Sequence, residues 1–295
     1  MTSGIVLVDK PWGLSSHGAV ARVRKALGTK KVGHAGTLDP AATGLLVLGI
    51  NAGTRLLTYL VGLDKSYTAM MRLGYETTTD DAEGEKIGEE SPSLESLTDQ
   101  SILEVLDGFR GDIDQVPSTY SAIKVEGKRA YDLARSGHDV ELASRRVSIT
   151  RLEAGSITRA EGHCDVELVV DCSSGTYIRA LARDIGRALG VGGHLIALRR
   201  TRVGPFDVQN ASAPEDVAES QIMGLAEAAG RVMPVVTLTP HEALDISHGR
   251  PIRTEDWSQS GPLAAIAQDS GKLVAILESS QGRSRILMGV PDSER

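Results

Sequence analysis

Lys31-Val32-Gly33-His34-Ala35-Gly36-Thr37-Leu38-Asp39-Pro40-Ala41-Ala42-Thr43-Gly44, with Leu45-Leu46-Val47-Leu48-Gly49-Ile50 directly behind it, is the stretch on which the reading of this chain turns. One carboxylate, Asp39, stands in a loop made almost wholly of glycine, alanine, threonine and proline. Small side chains let another molecule's backbone come close, and the apolar run supplies a buried, rigid support. A lone acid held this way serves as a nucleophile or base, or else as a helix cap or turn former.

Toward the N-terminus, Gly4–Lys10 has the pattern of a short strand ended by Pro11 and Gly13. Ser15 or Ser16 caps a helix that runs through Ala19, Val20, Val23 and Leu27 and stops at Gly28. On the other side of the loop a helix is expected near 54–63, and Lys65–Leu73 alternates as a strand with Tyr67, Ala69 and Met71 on one face. Thr77–Pro92 is acidic, poor in large apolar residues, and reads as a solvated loop. Ser101 and Glu104 match a capping box ahead of a short helix. Residues 115–146 read as an excursion from the core: two short strands around Glu126-Gly127 with basic residues at the tip, then a helical turn over Ala130–Ser136. Two strands over Arg146–Ala154 and His163–Cys172, a helix over Tyr177–Leu189 and a strand over Leu195–Val203 follow. After one or two small helices in 211–232 the style changes to short β-like runs separated by Gly and Ser turns, with a helix near Pro240–Ile246. Domain boundaries are therefore expected at 1–232 and 233–295, the second a β-rich module.

The length of 295 residues suits one large domain, or a large and a small one. No apolar run approaches the roughly 20 residues that span a bilayer. Met1–Pro11 lacks the basic start and long apolar stretch of a signal peptide, so the expected location is cytoplasmic. Cys164 and Cys172 lie on one expected strand, roughly 26 Å apart at its usual rise, which excludes a disulfide between them. The seven histidines have no ligand spacing, and no metal is expected. A phosphate-binding Gly-x-x-x-x-Gly-Lys-Ser/Thr loop and a Gly-x-Ser-x-Gly elbow are both missing, which disfavours nucleotide hydrolysis and serine-esterase chemistry.

The net charge of −7 hides a segregation. Residues 76–114 hold thirteen acids and two bases, a net of −11. Residues 1–35 and 179–202 each hold six bases and one acid, +5 apiece, and residues 124–151 hold seven bases and four acids, +3. The basic segments either assemble into one face that attracts phosphates or form three separate solvated surfaces.

Three segments in this order carry a resemblance: the Asp39 loop, Asp64-Lys65-Ser66-Tyr67, and Gly175-Thr176-Tyr177-Ile178-Arg179. They closely resemble the TruB family of tRNA pseudouridine synthases. Lys10-Pro11-Trp12-Gly13-Leu14-Ser15-Ser16, Tyr120-Ser121-Ala122-Ile123-Lys124 and Leu198-Arg199-Arg200-Thr201 are similar to further blocks of that family. The resemblance covers about residues 4–205. It implies an α+β pseudouridine synthase fold: a mixed, largely antiparallel central sheet flanked by helices and loops, with a small β-rich PUA-like RNA-binding domain at the C-terminus.

The implied activity is isomerisation of uridine to pseudouridine at position 55, in the T-loop of tRNA. Asp39 would be the nucleophile, attacking either C6 of the base or C1′ of the ribose. A buried carboxylate alone drifts toward protonation, and the resemblance gives it Arg179 as an ion-pair partner. Tyr67 would stack on the target base and assist proton transfer; on its own it reads as core packing. His34 would contact the extruded nucleotide, though by itself it reads as a turn residue. Tyr177 and Leu198 would line the uracil pocket, the latter on resemblance alone. Lys10 is carried over with the substrate-binding set. The 115–146 excursion resembles an RNA-clamping thumb, with Lys124, Lys128 and Arg129 as its phosphate contacts. No cofactor, metal or protein partner is implied, and a monomer acting on the tRNA T-arm, away from membranes, is expected. The competing readings are the related catalytic subunit of a guide-RNA complex, disfavoured by the lack of lysine-rich tails, and a tRNA-binding or tRNA-folding protein without catalysis. The Asp39–Tyr67–Arg179 set argues against the second, because a pure binder has no need of an acid facing RNA.

Overall fold

The computed structural model describes residues 2–119, 142–255, 257 and 260–291, together with the backbone of 124–125 and 128–129. The chain divides into two compact units, one of Met1–Pro40, Gly44–Gly62 and Val203–Arg295, the other of Ala41–Thr43 and Leu63–Arg202.

In the first unit, β1 (Gly4–Lys10) pairs antiparallel with β3 (Ala42–Ile50), from Gly4↔Ile50 to Lys10↔Gly44. β2 (Val32–Ala35) pairs with β3, and the short β14 (Met223–Gly224) with β1. Every residue of β3 from Gly44 on is buried, as expected for an apolar run covered on both faces. α1 (Ser16–Ala26) takes its N-cap from Ser15, whose hydroxyl accepts the Gly18 N–H at 3.0 Å. It sets Ala19, Val20 and Val23 against Val6, Val8, Leu46 and Leu48. α2 (Gly53–Leu60) starts against β1 so tightly that a Cβ at Gly53 would stand 1.9 Å from the Gly4 carbonyl oxygen.

The expected C-terminal β-rich module is a sheet ordered β15 (Val235–Leu238), β16 (Leu263–Ala267), β17 (Leu273–Ser280), β18 (Arg283–Gly289). Its first pair is parallel and the others antiparallel. α6 (Pro240–Ser247) opens with a Thr239/Glu242 capping box and drops Ile246 onto Leu238, Ala265, Val274 and Leu277. This sheet belongs to the same unit as β1 and α1, and α5 (Leu225–Val232), which precedes it, packs against β1 and β16.

The second unit carries strands in the order β12 (Gly193–Val203), β4 (Lys65–Leu73), β11 (His163–Cys172), β10 (Arg145–Ala160), β7 (Gly111–Gln115). β4 and β11 are antiparallel from Lys65↔Cys172 to Leu73↔Cys164. Alternation puts Tyr67, Ala69, Met71 and Leu73 of one with Val166, Leu168 and Val170 of the other into a single core. Both cysteines are free and buried at opposite ends of β11, and burial pushes the Cys172 thiol up to about 11. β10 continues past the expected Ala154 by taking up bulges opposite β11. α3 (Asp99–Gly108) begins earlier than expected, because Thr98 and Ser101 form its capping box. β8 (Lys124–Val125) and β9 (Lys128–Arg129) pair antiparallel around 126–127. Their side chains and the helical turn expected over 130–136 lie outside the described residues.

α4 (Ile178–Ala188) buries Leu181, Ala182 and Ile185 in the same core. It lies so close to the start of β12 that a Cβ on Gly186 would come 2.3 Å from the Gly193 nitrogen. Neither atom of that contact sits on a flexible side chain, so Gly186→Ala must displace the helix. The expected loss is about 3 kcal/mol, checked by equilibrium denaturation with an exposed-position alanine variant as control.

Candidate active site

Asp39 is exposed, between Leu38, which is buried, and Pro40. Each neighbour is held by its backbone from the Lys10–Ser16 segment. The Ser16 hydroxyl donates to the Leu38 carbonyl and accepts the Leu38 N–H, both at 2.9 Å and both buried. The Gly13 N–H donates to the Pro40 carbonyl at 2.8 Å. Lys10, fully buried, donates from Nζ to the carbonyls of Leu14 at 2.6 Å, Pro11 at 3.1 Å and Pro40 at 3.3 Å. Gly13 lies at φ +79°, a left-handed turn that an L side chain seldom adopts. The two segments thus form one bracket that fixes the backbone on both sides of the exposed Asp39. Lys10 occupies the place of a clamp inside this bracket rather than of a surface cation. His34 lies on β2 with its ring edge-on to His17, centroids 5.4 Å apart.

Tyr67 is buried in the core of the second unit, with Ile178 in the same cluster and Leu198 packed against it. Thr43, at the end of the Asp39 loop, bonds from Oγ1 to the Leu198 carbonyl at 3.4 Å. Tyr177, half-buried at the start of α4, has both backbone polar groups taken by one side chain. Its N–H donates to Gln115 Oε1 at 2.8 Å, and its carbonyl accepts from Gln115 Nε2 at 3.1 Å. No hydroxyl caps α4, although Ser173 and Thr176 stand just before it.

Arg179, Arg183 and Arg187 repeat every four residues along α4 and meet the start of the acidic segment. Arg179 Nη1 reaches Asp81 Oδ2 at 3.1 Å and donates to the Thr79 carbonyl at 3.0 Å. Asp81 Oδ1 also accepts from the Thr79 hydroxyl and the Glu83 N–H. Arg183 binds Asp80 at 2.9 Å and Asp184 at 2.9 Å, and donates to the Val116 carbonyl. Arg187 and Glu76 form two parallel bonds at 2.7 and 2.8 Å, and the guanidinium holds the Glu76 carboxyl below its ordinary value. Burial pushes the Asp80 carboxyl up, against the pull of Arg183. This corrects two expectations. Thr77–Pro92 is not uniformly a solvated loop, because Thr77 and Asp81 are buried. The +5 of residues 179–202 is also only in part an open patch: Arg179 and Arg183 are buried in ion pairs, while Arg187, paired with Glu76, stays 57% exposed.

Lys65, beside Tyr67 on β4, is buried with Nζ donating to the Leu63 carbonyl at 2.6 Å. Burial, and then the Arg200 charge, lowers its pKa from 10.5 to about 8. The folded chain therefore gives up this proton before the unfolded chain does, and between those two values the unfolded chain binds more protons. Stability contributed by this group rises with pH through that window. Relative to Lys65→Met, the wild-type protein is expected to gain about 1–2 kcal/mol between pH 8 and 10.5. Denaturant titrations at both pH values check it.

Among the described residues no group of three or more His, Cys, Asp or Glu side chains is placed to hold a metal ion, and no helix is long and apolar enough to cross a membrane.

Residues 24–178 match the model of the TruB family pseudouridylate synthase N-terminal domain, and residues 179–242 that of the tRNA pseudouridylate synthase B C-terminal domain. The tRNA pseudouridine synthase B of Arthrobacter sp. (strain FB24) is 50% identical over 306 residues, which is 100% of this chain and 99% of that protein. The protein of the same name from Mycobacterium sp. (strain KMS) is 51% identical over 284 residues, 96% of this chain and 94% of its own. Of solved structures, an H/ACA RNP bound to a substrate RNA containing 2′-deoxyuridine superposes with a TM-score of 0.70 at 25% identity, over 97% of this chain and 83% of that one. A Cbf5-Nop10-Gar1 complex gives 0.70 at 26% identity, over 98% and 84%.

Proposed function

Because the chain belongs to the TruB family of pseudouridylate synthases, we propose that Asp39 is the nucleophile with which it isomerises a uridine of tRNA, at position 55 in the T-loop. Conversion of tRNA uridine to pseudouridine is the activity named for relatives 50% and 51% identical over 100% and 94% of the chain. The observation that carries the assignment is the bracket around Asp39: an exposed carboxylate whose two neighbours are pinned by Ser16, Gly13 and Lys10.

In the reaction the N1–C1′ bond of the uridine breaks, a C5–C1′ bond forms, and the C5 proton leaves while N1 gains one. The Asp39 carboxylate adds to C6 of the base or to C1′ and is released when the new bond is complete, so nothing is oxidised or reduced and no cofactor enters. A folded T-loop hides this uridine, and extruding it costs a few kcal/mol. The small residues of the 33–44 loop leave room for the extruded nucleotide beside the carboxylate and His34. Tyr67 stacks on the base and assists proton transfer, Tyr177 and Leu198 line the pocket, and Arg179 pairs with Asp39 while Asp81 holds its other side.

The exposed basic residues of 22–31, with Lys124, Lys128 and Arg129 of the thumb, supply phosphate contacts, and 233–295 serves as a PUA-like RNA-binding domain. The protein acts as a cytoplasmic monomer without a protein partner. The reading is tested by release of tritium from unmodified tRNA carrying [5-³H]uridine, which requires loss of the C5 proton. Affinity for tRNA is expected to fall at least about tenfold between 50 and 200 mM salt, measured by filter binding; a flat response rejects the phosphate contacts.

A further inference from the structure

The bracket around Asp39 also holds out one side chain that it does not use. Trp12 is 72% exposed, the most open of the large apolar side chains among the described residues. The other tryptophan, Trp257, packs against the core of the C-terminal sheet. Yet the backbone around Trp12 is fixed. Lys10 Nζ donates to the Pro11 carbonyl on one side and the Leu14 carbonyl on the other, and the Gly13 N–H is tied to Pro40 at 2.8 Å. Both Lys10 and Gly13 end on Pro40, the residue next to Asp39, so the indole is displayed from the same rigid frame as the carboxylate.

The surroundings select a partner. Besides the buried Lys10, the chain between Asp9 and Asp39 holds Arg22, Arg24, Lys25, Lys30 and Lys31, all exposed, and no Asp or Glu; of these Arg22 meets Glu215 at 3.3 Å. A rigid aromatic face in a basic segment is the arrangement on which nucleobases stack. A protein partner would call for an apolar surround, which is the core of a protein interface. The other exposed large apolar residues (Val61, Ile87, Leu103, Val116, Val235, Leu244) belong to other elements.

We propose that Trp12 is a stacking platform for a nucleobase of the substrate tRNA that flanks the target uridine, an inference that rests on the function proposed above. The platform accepts any base, because stacking uses the π-face and not the hydrogen-bonding edge. It adds to tRNA affinity and holds the neighbouring nucleotide in place while the uridine is extruded.

Trp257→Phe, a conservative change remote from the Asp39 bracket, leaves Trp12 as the only tryptophan of the full chain. Titration of that variant with unmodified tRNA transcript is expected to quench and shift Trp12 emission saturably, with a midpoint equal to the Kd from filter binding. Trp12→Ala is expected to raise Kd and KM about tenfold, with its melting temperature unchanged, and Trp12→Phe to recover most of the loss. Unchanged Trp12 emission at saturating tRNA, or a wild-type Kd for Trp12→Ala, overturns the platform. Tritium release by the wild-type protein is measured alongside. Activity with a silent Trp12 defeats this inference alone, whereas no activity defeats the proposed function itself.

Discussion

Asp39→Asn abolishes pseudouridine formation, with tritium release from [5-³H]uridine tRNA falling about 10⁴-fold or more, the scale set by removing a nucleophile elsewhere. The amide keeps the size of the side chain and cannot form the covalent bond at C6 or C1′. The bonds from Ser16, Gly13 and Lys10 run to the backbone of Leu38 and Pro40 and not to the Asp39 side chain, so the substitution leaves them in place. Binding of tRNA stays within a few-fold of wild type or tightens, since an exposed negative charge is removed from a surface that meets phosphates. Separate measurement of Kd and of single-turnover rate distinguishes this outcome from misfolding. A variant that releases tritium at an appreciable fraction of the wild-type rate removes Asp39 from the role of nucleophile.

Asp81→Ala is expected to cost both stability and rate, although Asp81 is not proposed to touch the substrate. The Arg179–Asp81 pair leaves only 9% and 12% of its two side chains exposed. Removing Asp81 takes a buried charge-assisted partner from Arg179, at a cost of about 1.5–3 kcal/mol. The Glu83 N–H loses its acceptor with it and the Thr79 hydroxyl keeps only the longer bond to the Asp81 carbonyl, so the turn that supplies the Thr79 carbonyl to Arg179 loosens too. A guanidinium displaced by an ångström is expected to lower kcat about 10²-fold, with KM within a few-fold. Asp81→Asn retains the turn bonds but not the charge and should fall between the two. Equal kcat for wild type and a folded Asp81→Ala would show that Asp81 holds only the fold.

The sequence and the fold agree best where a residue's partners are local or its pattern is periodic. Ser15 caps α1, the alternation of 65–73 and 163–172 gives β4 and β11, and the runs after Val235 give the C-terminal sheet. Asp39 was legible as a candidate because an acid among glycines and alanines stands out. The purpose of Lys10 was not, because a lysine that donates to carbonyls of Leu14 and Pro40 has the same sequence signature as one that binds phosphate. Asp80 and Asp81 were missed for a related reason: composition treats them like their exposed neighbours in an acidic stretch, and their arginine partners lie about a hundred residues away. One signal was present. Arginines at 179, 183 and 187 line a helix that otherwise sinks into the core, and charges on a buried helix need partners. Gln115 left no signal at all, since a carboxamide that pairs with a backbone N–H and C=O is recognised only once the fold brings Tyr177 beside it.

The measurement that bears most directly on the function is the position of the modified base. Unmodified tRNA transcript is incubated with the wild-type protein and with Asp39→Asn, then treated with carbodiimide and read by primer extension. One new stop is expected, at position 55 of the T-loop, present with the wild-type protein and missing with Asp39→Asn. No adduct with the wild-type protein, an adduct elsewhere in the tRNA, or the same adduct with both proteins would contradict it.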